Sequence, residues 1–237
     1  VINFWEFSQE LQIFSYSCDY LSNLSLERNV AETMLKLDHI VIAAESLSQG
    51  VDYIQNLLGV SMTTGGKHAA FGTHNALLSL GDAYLEVIAI DPDAPKPTHA
   101  RWFGLDTFSG SPRLSNWVLQ TDKPRRVIGK TLIGTGDMMT VSRDDLTWQI
   151  TVPKSGHLPL DNCAPAVIDW MGADHPVTRL PDVGCRLTNL QIEHPHAISL
   201  KSFLTDTFSD PRVVVRGREC GGMSATIESP NGVVTLT

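Results

Sequence analysis

The chain has 237 residues, 42% of them apolar and 19% charged, an ordinary balance for a globular protein with enough residues for a packed core. Its 18 basic and 26 acidic side chains leave a net charge of −8, which gives nucleic acid no electrostatic footprint to bind. No apolar run approaches the roughly 18 residues that cross a bilayer. Four scattered cysteines form no C-x-x-C pair, so reduced thiols in a cytoplasmic setting are expected rather than disulfides or a zinc cluster.

Residues 1–33 differ from the rest. They hold six of the 17 aromatic residues, no glycine or proline, and five acids against Arg28 alone. A secretory leader would need a basic start, which is missing here. Met34 directly precedes the first well-patterned strand, so Met34 is expected to be the natural start and residues 1–33 a read-through or vector-derived extension. An amphipathic docking helix is the alternative.

From Leu37 the alternation of Leu37, His39 and Val41 with Asp38, Ile40 and Ile42 reads as a strand. Ser46 can cap a helix through Leu58 that shows Val51, Ile54, Leu57 and Leu58 on one face, and Gly59 ends it. Ser61–Thr64 reads as a short extended piece. Asn75–Leu80 and Tyr84–Ile90 flank Gly81-Asp82-Ala83, a hairpin signal. The order is therefore βαβββ. A proline-rich run, Asp91–Pro97, opens a loop to about Gly110, whose Trp102, Phe103 and Phe108 can fold back over a cavity.

The pattern then repeats weakly. Leu114-Ser115-Asn116-Trp117 and Leu187-Thr188-Asn189-Leu190 echo Leu37-Asp38-His39-Ile40, with starts 77 and 73 residues apart. Helices are expected around Arg125–Lys130 and Ile198–Thr207. Hairpins pair Met139–Ser142 with Leu146–Val152, and Ser224–Glu228 with Val233–Leu236. The middle unit ends in Pro165–Trp170. The expected division is residues 34–110, 111–176 and a divergent third βαβββ unit at 177–237. The fold class is α+β, an open barrel of repeated βαβββ modules.

The runs LDHIVIAAESLSQGVDYIQNLLG and GGKHAAFGTHNALLSLGDAYLEVIAID resemble the glyoxalase-like branch of the vicinal oxygen chelate superfamily. PAVIDW, Asp174-His175-Pro176 and SATIESPNGVVTLT are similar to the tail of the same branch, so the resemblance covers about residues 35–237. It implies paired modules curled into a barrel around a divalent metal (iron, manganese, zinc or nickel) that chelates a small oxygen-rich substrate. The family's ligand positions on the first and fourth strands match His39 and Glu86. By the repeat alignment the His39 position becomes Asn116 and Asn189, and the Glu86 position becomes Trp148 and Thr235. The usual third ligand is thus missing, with His68, Asp169, His157 or a neighbouring chain left to supply it.

An imidazole and a carboxylate converging from two strands are part of the set such metals accept. Glu86 in an apolar run must be paired, ligated or at the surface, because burying it alone is costly. Alternatively, His39 is a hydrogen-bonded core histidine. Glu86 and His68 are the candidate acid/base groups; Thr73, Asn75 and Trp170 are the candidate substrate contacts. His74 is expected in an exposed loop, His175 in a turn, and Trp148 in the core. Neither a G-x-S-x-G elbow nor a G-x-G-x-x-G fingerprint occurs. The expected function is a metal-dependent lyase/isomerase or dioxygenase acting on a small molecule, possible as a homodimer. A metal-free protein that sequesters a small molecule in the same cavity is the rival.

Overall fold

The first apolar alternation forms β1 (Lys36–Ala43), which lies at the middle of an eight-stranded sheet. The computed structural model describes residues 34–143 and 145–237, so the readings of residues 1–33 lie outside the described residues. Helix α1 (Leu47–Leu58) starts where Ser46 Oγ accepts the amide of Gln49 at 3.3 Å, and stops at Gly59, whose φ of 71° suits glycine. Three strands follow: β2 (Thr63–His68), β3 (Thr73–Ser79) and β4 (Tyr84–Ile90).

The extended piece expected at 61–64 runs further, through Gly65 and Gly66. Close approach is the reason. A Cβ on Gly65 would overlap the Asn75 side chain, and one on Gly66 would overlap Arg143.

A second group repeats the plan with β5 (Arg113–Gln120), α2 (Pro124–Ile128), β6 (Asp137–Arg143), β7 (Leu146–Val152) and β8 (Ala166–Asp169). In each group the first strand runs parallel to the fourth, and the other pairings are antiparallel. Antiparallel pairing of β1 with β5 joins the groups into the order β2-β3-β4-β1-β5-β8-β7-β6. The third group has β9 (Arg186–Glu193), α3 (Ala197–Leu204), β10 (Val213–Arg216), β11 (Gly222–Ser229) and β12 (Gly232–Leu236). It forms a sheet of its own, β10-β9-β11-β12, in which the first strand is parallel to the second rather than the last. Element order is shared, but strand pairing is not.

The echo among the three strand starts has a physical meaning. In each first strand one extra residue is inserted against the antiparallel neighbour: Asp38 between Leu37 and His39, Ser115 between Leu114 and Asn116, Thr188 between Leu187 and Asn189. These are β-bulges, which re-aim the side chains beside them. Ser115 Oγ and Thr188 Oγ1 each donate to a carbonyl of the opposite strand, Val41 O at 3.3 Å and Thr226 O at 3.1 Å. Asp38 cannot donate when ionised, and its carboxylate is turned to another use.

Aligning the bulges also corrects the repeat. Val41 pairs with Glu86 and the matching Val118 pairs with Ala166, so Ala166 stands at the Glu86 position. Trp148 lies on β7, and Thr235 lies on β12, which pairs with β11.

Alternation along the strands divides the interior in two. Ile40, Ile42, Leu85, Val87, Trp117 and Leu119 pack with α1 and the second sheet on the convex side. Val41, Ala43, Ile88, Val118, Ile150 and Ile168 fill the concave side. Helix α1 seats closely on this sheet: a Cβ on Gly50 would lie 2.5 Å from Val87 Cγ1 and 2.8 Å from Ala44 Cβ. Gly50→Ala gains up to about 1 kcal/mol of helix propensity but overpacks the contact, at about 1–3 kcal/mol. A lower urea midpoint is expected. An unchanged or higher midpoint would show that α1 sits loosely on β4.

Candidate functional site

The bulge at Asp38 breaks the strict alternation that would send Asp38 and His39 to opposite faces. Asp38 Oδ1 instead accepts His39 Nδ1 at 2.6 Å. Its other oxygen accepts Trp170 Nε1 at 2.8 Å and His175 Nε2 at 3.1 Å. Asp38 is fully buried, and these donors come from three segments. Burial pushes its carboxyl pKa up, but the hydrogen bonds from His175 and His39 outweigh that and hold it below the usual carboxylate range.

His39 sits between two carboxylates. Its Nε2 lies 3.5 Å from Glu86 Oε2, and its ring stacks on Tyr84 with centroids 4.5 Å apart. Burial favours the neutral imidazole, yet the hydrogen bonds to Asp38 and Glu86 raise its pKa to about 9. Burial raises Glu86 too, but His39 and Asn75 bring its net pKa below the ordinary value. Asn75 Nδ2 donates to Glu86 Oε1 at 2.6 Å, while Asn75 Oδ1 accepts from Gly66 N at 2.9 Å and Arg143 Nη1 at 3.2 Å. His39 and Glu86, read from sequence as a pair, therefore face each other across adjacent strands.

Both line a cavity of about 30 Å³ with His68, Asn75, Tyr84 and Arg143, room for one or two waters. Trp102, Phe103, Trp148 and Trp170 supply aromatic walls. Loop residues Trp102 and Phe103 thus cover the cavity, whereas Phe108 packs under the Arg113 guanidinium, 4.1 Å from its ring. Phe103 takes this place at φ 57°, in the left-handed region.

The other candidates fall as follows. His68 lines the cavity, with Nδ1 on Thr73 Oγ1 at 3.0 Å. Burial lowers its pKa to about 4, so it is a neutral imidazole at pH 7. Thr73 is buried behind His68 and does not line the cavity. Trp148, expected as core, is buried as a wall of the cavity, and His74 belongs to β3 rather than to a loop. His157 is exposed and bonded to Thr107 Oγ1 at 3.1 Å; Asp169 Oδ1 accepts from Met171 N at 2.8 Å. Neither reaches the cavity. His175 does fix its turn, accepting from Val177 N at 3.3 Å, but it also supports Asp38. Asp38 and Arg143 went unpredicted. The repeated bulge motif was the available signal for the first; none in the sequence pointed to the second.

A resident divalent metal does not fit this donor set. His39 Nε2 and Glu86 would be its ligands, with Asp38 orienting the imidazole as metal-bound histidines require. Among the described residues, however, no three His, Cys, Asp or Glu side chains converge to hold an ion. The next oxygen, Asn75 Oδ1, already accepts two hydrogen bonds.

The charges predict how stability follows pH. With its pKa raised from 6.5 to about 9, His39 stabilises the fold fully below pH 6.5 and loses that contribution as pH rises through 9. Asp38 and Glu86, both depressed, contribute above the ordinary carboxylate range and lose it in acid. Melting temperature should therefore fall from pH 6.5 to 9 in the wild type and stay flat over that window in His39→Gln. Parallel profiles would mean that His39 is neutral in the fold.

Residues 37–208 match the family model described as a glyoxalase-like domain. No curated protein matches the chain. Among solved structures, a hypothetical protein from Staphylococcus aureus is similar at 13% identity, with 85% of this chain and 98% of that one covered and a TM-score of 0.56. At that identity the likeness concerns the fold. A Streptomyces coelicolor methylmalonyl-CoA epimerase, in complex with 2-nitronate-propionyl-CoA, matches at 15% identity over 58% of this chain and 98% of its own, with a TM-score of 0.40. The Mycobacterium tuberculosis methylmalonyl-CoA epimerase matches at 16% over 58% and 89%, with a TM-score of 0.37.

Proposed function

This chain belongs to the glyoxalase-like domain family, and we propose that it is an isomerase- or lyase-type enzyme that moves a proton on a small oxygen-rich substrate. The observation that carries this reading is the buried pair of His39 and Glu86, 3.5 Å apart and opening on one cavity. Their surroundings push their pKa values in opposite directions, Glu86 down and His39 up to about 9. Such divergence assigns roles: an ionised base beside a protonated acid at neutral pH. Glu86 takes a proton from a carbon next to a carbonyl, and the electron pair moves onto the carbonyl oxygen. The His39 imidazolium meets the negative charge that develops there. Return of the proton to the same or the neighbouring carbon gives an isomerase; loss of a group from the next carbon gives a lyase. Asp38 and Asn75 hold the two reacting side chains in place.

Of the activities the resemblance implies, dioxygenase chemistry is the less supported, because the two-histidine, one-carboxylate arrangement of non-heme iron oxygenases needs a third converging donor. The sequestering alternative draws on the aromatic walls, but Asn75, Glu86 and Arg143 make the cavity polar.

The test is deuterium wash-in. Small 2-oxo and 3-oxo compounds incubated with the protein in D2O should gain deuterium next to the carbonyl, read by NMR. Glu86→Gln should slow this by about 10²–10⁴-fold. The wild-type rate should survive a chelator, and its loss there would restore the metal-dependent reading. Tight binding with no wash-in would leave the sequestering protein.

A further inference from the structure

Resting on that proton-transfer reading, we propose that the substrate is a short carboxylic acid, and that Arg143 and Trp102 bind its carboxylate. Arg143 ends β6, the edge strand of the second group. Its side chain reaches over the opposite edge strand, β2, at Gly66, where any Cβ would overlap it. It then donates from Nη1 to Asn75 Oδ1 at 3.2 Å. The guanidinium is thereby fixed at the wall of the cavity, with Cζ 6.0 Å from the centre of the Trp148 ring.

Trp102 lines the same cavity and is 4% exposed, and its Nε1 has no hydrogen-bond partner among the described residues. A buried N–H left without an acceptor is destabilising, and the indole can only donate. A guanidinium also only donates, in a planar fork that matches a carboxylate. The unpartnered indole N–H of Trp102 calls for an acceptor, and the guanidinium on the same cavity favours one that is negatively charged. The flat aromatic walls and narrow space favour a planar carboxylate over a tetrahedral phosphate or sulfate.

Asn75 then relates recognition to chemistry. One end of its amide holds Arg143 and the other holds Glu86. A carboxylate on Arg143 turns the rest of a short chain, with the C–H beside its carbonyl, toward the base. The substrate class is therefore a short oxo acid with an acidic C–H beside its carbonyl.

The probe is tryptophan emission of the full chain, titrated with short 2-oxo and 3-oxo acids and with their methyl esters. The acids should bind at least about tenfold more tightly than the esters. Arg143→Met should abolish that preference. Arg143→Lys, which keeps the charge without the fork, should weaken binding but retain the preference. Trp102→Phe should weaken the acids more than the esters. Near-UV circular dichroism identifies any variant that has lost its packing, and the Lys and Phe variants then carry the comparison.

Equal binding of acids and esters, an unchanged preference in folded Arg143→Met, or no saturation by any of the acids would overturn the proposal. Its failure is distinguishable from that of the proton-transfer reading. Deuterium wash-in on esters as readily as on acids would sink the carboxylate site and leave the reaction. Acid-selective binding with no wash-in would do the reverse, and Glu86→Gln should keep the binding while losing the exchange.

Discussion

A carboxylate with no access to water must find its donors inside the protein, and Asp38 is such a group. Its three come from β1 itself, from Trp170 just after β8, and from His175 at the start of the next turn. Residues more than 130 positions apart are thus tied to one side chain. Breaking a buried charge network by removing one member typically costs about 3–5 kcal/mol. Here it would also release His39 from its orientation, so stability and site geometry depend on one carboxylate. The bulge makes this possible, because a regular strand would have turned Asp38 to the opposite face.

The barrel is closed by side chains rather than by backbone. Strands β2 and β6 are the two edges of the sheet and do not pair with each other. Arg143 crosses between them, over the space that Gly66 leaves, and engages Asn75. The closing contact and the cavity wall are the same residue. An edge sealed in this way also leaves less backbone ready to pair with another chain.

Much of this was legible in the sequence, for definite reasons. Period-2 patterning marked β1 and β4, and the family likeness matched His39 and Glu86 to one site. Ser46 and Gly59 marked the ends of α1, and Gly81 marked the hairpin. The family likeness supplied the two paired modules, and the aromatic loop was expected over the cavity. What stayed hidden was non-local or irregular. A bulge adds one residue without any compositional sign, so the role of Asp38 was invisible until three strands showed the same insertion. The repeat alignment set Trp148 against Glu86 because it took β7 for the strand that pairs with β5; that strand is β8, and Ala166 stands there. Arg143 acts across an edge-to-edge approach that no local pattern encodes. The third group matched in element order, yet order does not determine which strand lies beside which.

The tightness of the cavity bears on any affinity measured for it. A ligand larger than the one or two waters that this space admits binds only when the walls have moved apart. Apparent affinity is then the intrinsic affinity scaled by the open fraction. Phe103 stands at this boundary with φ 57°, a conformation that costs a non-glycine residue on the order of 1–3 kcal/mol. Swinging it aside returns that strain, so the closed state is less favoured than its burial alone implies. Selectivity is consequently divided between the groups that touch the ligand and the equilibrium that admits it.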